Sequence, residues 1–399
     1  MTILTKKPLK LLNTAVFLQQ QRYLLPVSFL FYLYNGLNLS DFIFFQGIFY
    51  FVCLISEIPA GYLGDIFKRK NILIFSYLLF LSRITLWIFF KGYWIVLIGE
   101  ILYGLSKSCY RGVSDGYIYD YLKTKNIENS MLKRYGKYNF FMSSGCAISA
   151  ILGVALYKYF NFKILLILEF IIHTIAILLL IFLPQIPHIQ VKKTTFKVHF
   201  LNIINTIITT LKNKNINLEI FYSSILVGTT SIFVWNFQPA MKLANVAIVL
   251  FGVIYFINHT TRAFASLYAQ KIINIINFKK LGLLVWVCYM FSFLIIILNR
   301  IYINPVFCFI SLIIICLAIG MQMAYNVSTT SLVHKYAKNK TRATTSSVNY
   351  MIAGFCSSAF LMLFKNLIDY ISPSKAFLIY AICFAFVLYL PYKISKKEL

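Results

Sequence analysis

Along this chain, apolar stretches of about 20 residues alternate with short polar connections, and that is the length of helix that crosses a bilayer core. Twelve such stretches are read at 13–35, 42–64, 71–90, 93–115, 138–158, 162–183, 216–237, 244–268, 281–299, 303–326, 343–364 and 374–392. They predict an all-α polytopic membrane protein of twelve transmembrane helices. The longest polar connection, PQIPHIQVKKTTFKVHF and onward, falls between the sixth and seventh stretches. The chain therefore divides into a six-helix bundle over 1–183, a central loop over 184–215 and a second six-helix bundle over 216–399.

Composition agrees. Of 399 residues 60% are hydrophobic and only 12% charged, with a mean hydropathy of +0.77; a soluble domain carries roughly 25% charged residues. The net charge of +27 suggests nucleic acid until its placement is considered. Of the 38 Lys and Arg residues, 26 fall in the segments that share a side with the N-terminus, against 7 in the opposite segments. By the positive-inside rule this bias puts both termini in the cytoplasm. The basic charge then faces anionic headgroups, and no nucleic-acid partner is expected.

Neither metal nor cofactor is expected. The eight cysteines form no C-x-x-C pair, and the five histidines show no H-x-x-x-H or H-E-x-x-H spacing. That absence argues against a membrane-embedded enzyme. The first stretch, interrupted by QQQR at 19–22, lacks a small-residue cleavage site and is kept as a span.

Residues 57–70 read EIPAGYLGDIFKRK, a run of helix-end signals between two apolar stretches. Gly61 permits close helix contact. Asp65 sits at the inner end of its helix, where the dipole disfavours an anion, so it needs cationic partners such as Arg69 or a residue of the fourth or eleventh span. A faint repeat supports the two halves: a shift of 205 residues lays SLYAQK (266–271) over GYLGDI (61–66).

The stretch GYLGDIFKRK resembles the loop between the second and third spans of the major facilitator superfamily, roughly G-x-x-x-D-R-x-G-R-K/R. Gly61, Asp65, Arg69 and Lys70 match, while Ile66 and Lys68 depart from it. The preceding EIP (57–59), SDGYIYDYLK (114–123) and WNFQPAMK (235–242) are similar to a bacterial subset of that family. The resemblance implies alternating access between two halves, a gating role for Asp65 and Arg69, and export of drugs, siderophores or other secreted metabolites. The high Ile, Asn and Lys content suggests an AT-rich bacterial genome, hence a multi-pass protein of the bacterial cytoplasmic membrane.

Charges inside spans are costly and face a cavity or a partner. The fourth span is richest: Lys107, Arg111 and Asp115 stack at i, i+4 spacing, with Glu100 seven residues before Lys107 on nearly the same side. Cavity lining and an inner-end network around Asp65 both fit this stripe. Arg22 lies about ten residues from the inner end of the first span, placed to attract an anion or to pair with Glu57. Arg83 is central in the third span, and Glu169 and His173 sit at i, i+4 in the sixth, positioned to interact. The second half adds His259, Arg262, Gln322 and Asn326, together with Asn236 and Trp235, the latter a binding aromatic or an interfacial anchor.

No G-x-x-x-x-G-K-[ST] motif occurs, so ATP-driven transport by this chain is not expected. The reading that remains is secondary transport of a small organic molecule by a monomer in the lipid bilayer. Carboxylates at depth (Glu57, Glu100, Glu169) point to proton-coupled efflux, an antiporter; import of an anionic nutrient and a non-transporting receptor or assembly factor are the alternatives. The charge bias predicts that, in a cysteine-free background, an impermeant maleimide added to whole cells labels Lys91→Cys and leaves Lys125→Cys unlabelled. The reverse pattern would invert the topology.

Overall fold

The first span is not one helix. In the computed structural model, helix α1 (Lys7–Gln19) stops, the chain unwinds through residues 20–24, and a 3-10 turn (Leu25–Val27) leads into α2 (Ser28–Tyr34). The continuous helix expected over 13–35 is thus corrected, and Pro26 favours the break: its ring lacks an N–H and clashes with the carbonyl four residues back, which is that of Arg22. Proline alone does not decide it, since Pro59 and Pro239 lie inside continuous helices.

The structure describes residues 7–127, 130–186, 200–201, 204–205, 208–209, 212–213, 217–336, 342–388 and 390. Among them every long element is a helix: α3 (Leu39–Ile66), α4 (Arg69–Phe89), α5 (Tyr93–Lys123), α6 (Met131–Tyr159), α7 (Phe162–Ile181), α8 (Asn217–Leu243), α9 (Ile248–Ile276), α10 (Phe278–Ile301), α11 (Pro305–Tyr336), α12 (Arg342–Tyr370) and α13 (Pro373–Ala385). Nine of the described helices are long and apolar enough to cross a membrane. Helix α5 has the length, at 31 residues, but its apolar run is broken by Glu100, Lys107, Arg111 and Asp115. The first and last spans are divided or short. Several helices outrun their apolar stretches at the basic end, α5 by eight residues past 115, because backbone hydrogen bonding continues after the side chains turn polar. Most of the central loop at 184–215 lies outside the described residues.

Helices α3, α4, α5 and α7 pack together with α1 and α6, and α8 packs with α11 and α12 beside α9, α10 and α13. Two long seams join these groups: α6 lies along α9, and α3 lies along α12. Large apolar side chains such as Phe75, Ile171, Leu178, Leu294, Leu317 and Phe355 are exposed on the outside of the bundle. In water that would be a liability; in a bilayer it is the lipid-facing surface.

The broken segment needs room, and Gly153 of α6 provides it. A Cβ built there would lie 2.1 Å from the Tyr23 carbonyl oxygen, a backbone atom that cannot rotate away. Gly153→Ala is expected to lower the melting temperature of the purified protein, with a cost of about 1–3 kcal/mol for overpacking. Gly112→Ala is the control, because nothing lies within 4 Å of its Cβ position. Equal melting of both variants would mean that this close approach does not stabilise the fold.

Candidate functional site

Unwinding at 20–24 exposes backbone polar groups inside the protein, and each one named here finds a partner. Gln19 O, the last carbonyl of α1, is met by His173 Nε2 at 2.7 Å, while His173 Nδ1 meets Glu169 O at 2.7 Å. The Leu24 amide donates to Glu169 Oε1 at 2.7 Å. Farther along, the Phe29 amide donates to Gln238 Oε1 at 2.8 Å, and Gln238 Nε2 donates to Leu25 O at 2.9 Å, Ser28 Oγ at 3.1 Å and Tyr255 Oη at 2.9 Å. Glu169 and His173 do share a face of α7. They do not pair with each other's side chains as expected; they hold the two sides of the break. His173 also stacks on Phe80 at 4.6 Å.

Beside the break is a small cavity of about 40 Å³, lined by Arg22, Leu24, Leu25, Ser28, Tyr32, Gln46, Arg83, Glu100, Tyr103, Glu169 and Trp235. Arg22 donates to the Tyr103 hydroxyl and to Gln20 Oε1. Its guanidinium lies 4.8 Å from the Tyr103 ring centre. Arg83 pairs with Glu100 at 2.9 Å and packs over Trp87 at 3.9 Å and Tyr103 at 4.7 Å. Tyr32 donates to Glu100 Oε1 at 2.8 Å and receives Gln46 Nε2 at 3.1 Å. One aromatic, Tyr103, therefore lies against two guanidinium groups, of which only Arg83 pairs with a carboxylate among the described residues. Trp235 comes from α8 and packs edge-on against Phe42 at 5.8 Å.

Nearer the basic end, Arg69 pairs with Asp120 at 2.7 Å. This partner was not anticipated, although Asp120 lies within SDGYIYDYLK. Gly116 makes the contact possible, since a Cβ there would sit 2.0 Å from the guanidinium. Lys70 donates to the Ile181 carbonyl at the end of α7. The side chain of Asp65, and Gly61 beyond its place in α3, lie outside the described residues. Glu57 is buried within electrostatic reach of Arg111. Asp115 accepts from Tyr350 at 3.3 Å, Tyr350 shares a hydrogen bond with Tyr135 at 2.7 Å, and Arg111 lies over the Tyr350 ring at 5.6 Å. Lys107 lies over Tyr110 at 5.5 Å.

The other candidates of the second half line no part of this cavity. Asn236 donates to Ile232 O at 2.8 Å and keeps its Oδ1 unpartnered. Asn326 accepts from Ser223 at 2.6 Å. Gln322 Nε2 and Arg262 Nε are buried without hydrogen-bond partners among the described residues, as are both polar atoms of Asn258, which sequence reasoning passed over. His259 lies 6.4 Å from the Tyr255 ring. The missed residues Gln238, Tyr103 and Asp120 had one usable signal between them. Pro26 marks a helix break, and a break in a membrane span calls for polar partners.

Hydrogen bonds bridge the helices toward both ends of the bundle. The Gln238 clasp and a 2.6 Å hydrogen bond from Ser40 to Asp369 tie α2 to α8 and α3 to α12 at the end away from Arg69. The Tyr135–Tyr350–Asp115 contact ties α6, α12 and α5 at the basic end.

A bundle of apolar helices that encloses buried charges at a broken span is the architecture of a multi-pass membrane transporter. The chain belongs to the Major Facilitator Superfamily, whose family model matches residues 11–362. No curated protein matches the sequence. Among solved structures, it is similar to the nucleoside transporter NupG (13% identity, TM-score 0.74, covering 99% of this chain and 100% of that one). It is also similar to a POT family transporter in complex with 5-aminolevulinic acid (12%, 0.77, 98% and 97%) and to the human organic anion transporter MFSD10 (11%, 0.72, 98% and 100%). At these identities the likeness concerns the fold.

The Arg69–Asp120 pair is half shielded, with side-chain exposures of 14% and 19%. A double-mutant cycle over Arg69→Gln and Asp120→Asn, read as thermal stability, is expected to give a coupling of about 1 kcal/mol. Additive effects would assign Arg69 to another partner.

Proposed function

We propose that this protein is a secondary transporter of a small organic molecule, working by alternating access as a monomer in the bacterial cytoplasmic membrane. In this reading twelve spans form two six-helix halves, 1–183 and 216–399, with both termini and the 184–215 loop on the cytoplasmic, basic side. One observation carries the proposal. Arg22, the Arg83–Glu100 pair and Glu169 are buried around a cavity at a discontinuous helix, and the second half contributes Trp235 to it. Charges within a membrane span are costly unless they serve a pathway, and midplane sites of secondary transporters are built at broken helices between two halves.

Protons are the proposed coupling ion. Glu169 is held by a backbone amide and has no ion pair among the described residues. When it takes up a proton, its hold on the Leu24 amide weakens, so protonation acts directly on the break that positions Arg22. Gating falls to the Asp65–Arg69 loop, with Asp120 as the observed partner of Arg69. Export is the direction supported by the E-I-P-x-G resemblance.

Untargeted mass spectrometry of a deletion strain against its parent would identify the cargo: a compound that builds up inside and disappears from the medium supports export, whereas a medium component left unconsumed reverses the direction. In proteoliposomes, an imposed pH gradient is expected to drive that compound uphill. Glu169→Gln should abolish uphill movement and keep exchange. Flux indifferent to the gradient would remove protons from the mechanism.

A further inference from the structure

The charges deeper in the bundle narrow the chemistry of the cargo. Arg22 is 9% exposed, contacts Tyr103 and Gln20, and has neither a carboxylate partner among the described residues nor a hydrogen-bond partner for its Nε. The cavity beside it is lined by Tyr103 and Trp235 as well as by Arg83, Glu100 and Glu169.

Of the two carboxylates in that lining, Glu100 pairs with Arg83 at 2.9 Å, and Glu169 accepts from the Leu24 amide and makes no ion pair with Arg22. A guanidinium fork matches a carboxylate or a phosphate in two parallel hydrogen bonds.

We infer that the cargo is an organic anion, its acidic group received by Arg22 at the break of the first span. The inference rests on the transport reading above, and it specifies the charge of what is carried. Trp235 and Tyr103 beside Arg22 favour an anion that also presents a flat apolar face.

The test uses three probes of one shape and different charge: benzoate, benzamide and benzylammonium. Titrated into the full-length protein in nanodiscs, benzoate is expected to bind at least tenfold more tightly than either of the others. Arg22→Gln should erase that preference and Arg22→Lys should restore part of it. Trp235→Ala, in the same cavity lining, should weaken benzoate binding several-fold if the Arg22 variants fail to fold. Equal responses to the three probes, including no response to any, would overturn the inference. So would a charge preference that survives Arg22→Gln, or benzoate binding unchanged by Trp235→Ala. Proteoliposome flux separates the two readings: benzoate binding with no flux removes transport and leaves the anion site, while flux of benzamide or benzylammonium equal to that of benzoate keeps transport and removes the anion.

Discussion

A polar backbone group inside a bilayer has no water to turn to, and leaving one unpaired costs several kcal/mol. This constraint governs the first span. Pro26 disfavours a continuous helix, and where the helix breaks the backbone around residues 19–29 is satisfied by side chains from elsewhere. His173 and Glu169 of α7 take Gln19 O and the Leu24 amide, and Gln238 of α8 takes Leu25 O and the Phe29 amide. Those three side chains come from two helices on different sides of the cavity, so the break works as a joint between them. Arg22 is placed by this joint. Its guanidinium reaches Tyr103 only because the chain leaves helical geometry before Leu25.

The electrostatics follow from the same arrangement. An interior ion pair is stable only when its geometry is good and its remaining polar atoms are hydrogen-bonded, as they partly are for Arg83, Glu100, Tyr32 and Gln46. Arg22 is held differently, by an aromatic hydroxyl, a ring face and an amide oxygen. Such contacts hold a guanidinium in place with no carboxylate at ion-pair distance among the described residues. Hydrogen bonds cross between helices toward both ends of the bundle: Gln238 and Ser40–Asp369 at one end, and Tyr135–Tyr350–Asp115 at the other. Ser40–Asp369 spans the α3–α12 seam.

The amino-acid sequence by itself determined that the protein is helical and membrane-embedded, because about 20 apolar residues with few charges have no other stable home. Its family was also legible, since the GYLGDIFKRK loop carries the resemblance in contiguous residues. The identity of the buried charged residues was legible too: Arg22, Arg83, Glu100 and Glu169 stand out singly against an apolar background. Their partners were not, since pairing depends on which helix faces which, and spacing along one helix says nothing about its neighbour. Glu169 and His173 looked like a pair at i, i+4 and instead each turned to the backbone of the first span. The fold brings Asp120 against Arg69 through the notch at Gly116, a partner that proximity in the chain does not indicate, while the side chain of Asp65 lies outside the described residues. Tertiary structure alone decided where the first span breaks open, which carboxylate meets which guanidinium and which side chains cross between helices. Each depends on distances between helices far apart in sequence, and a hydrophobic pattern holds no information about those distances.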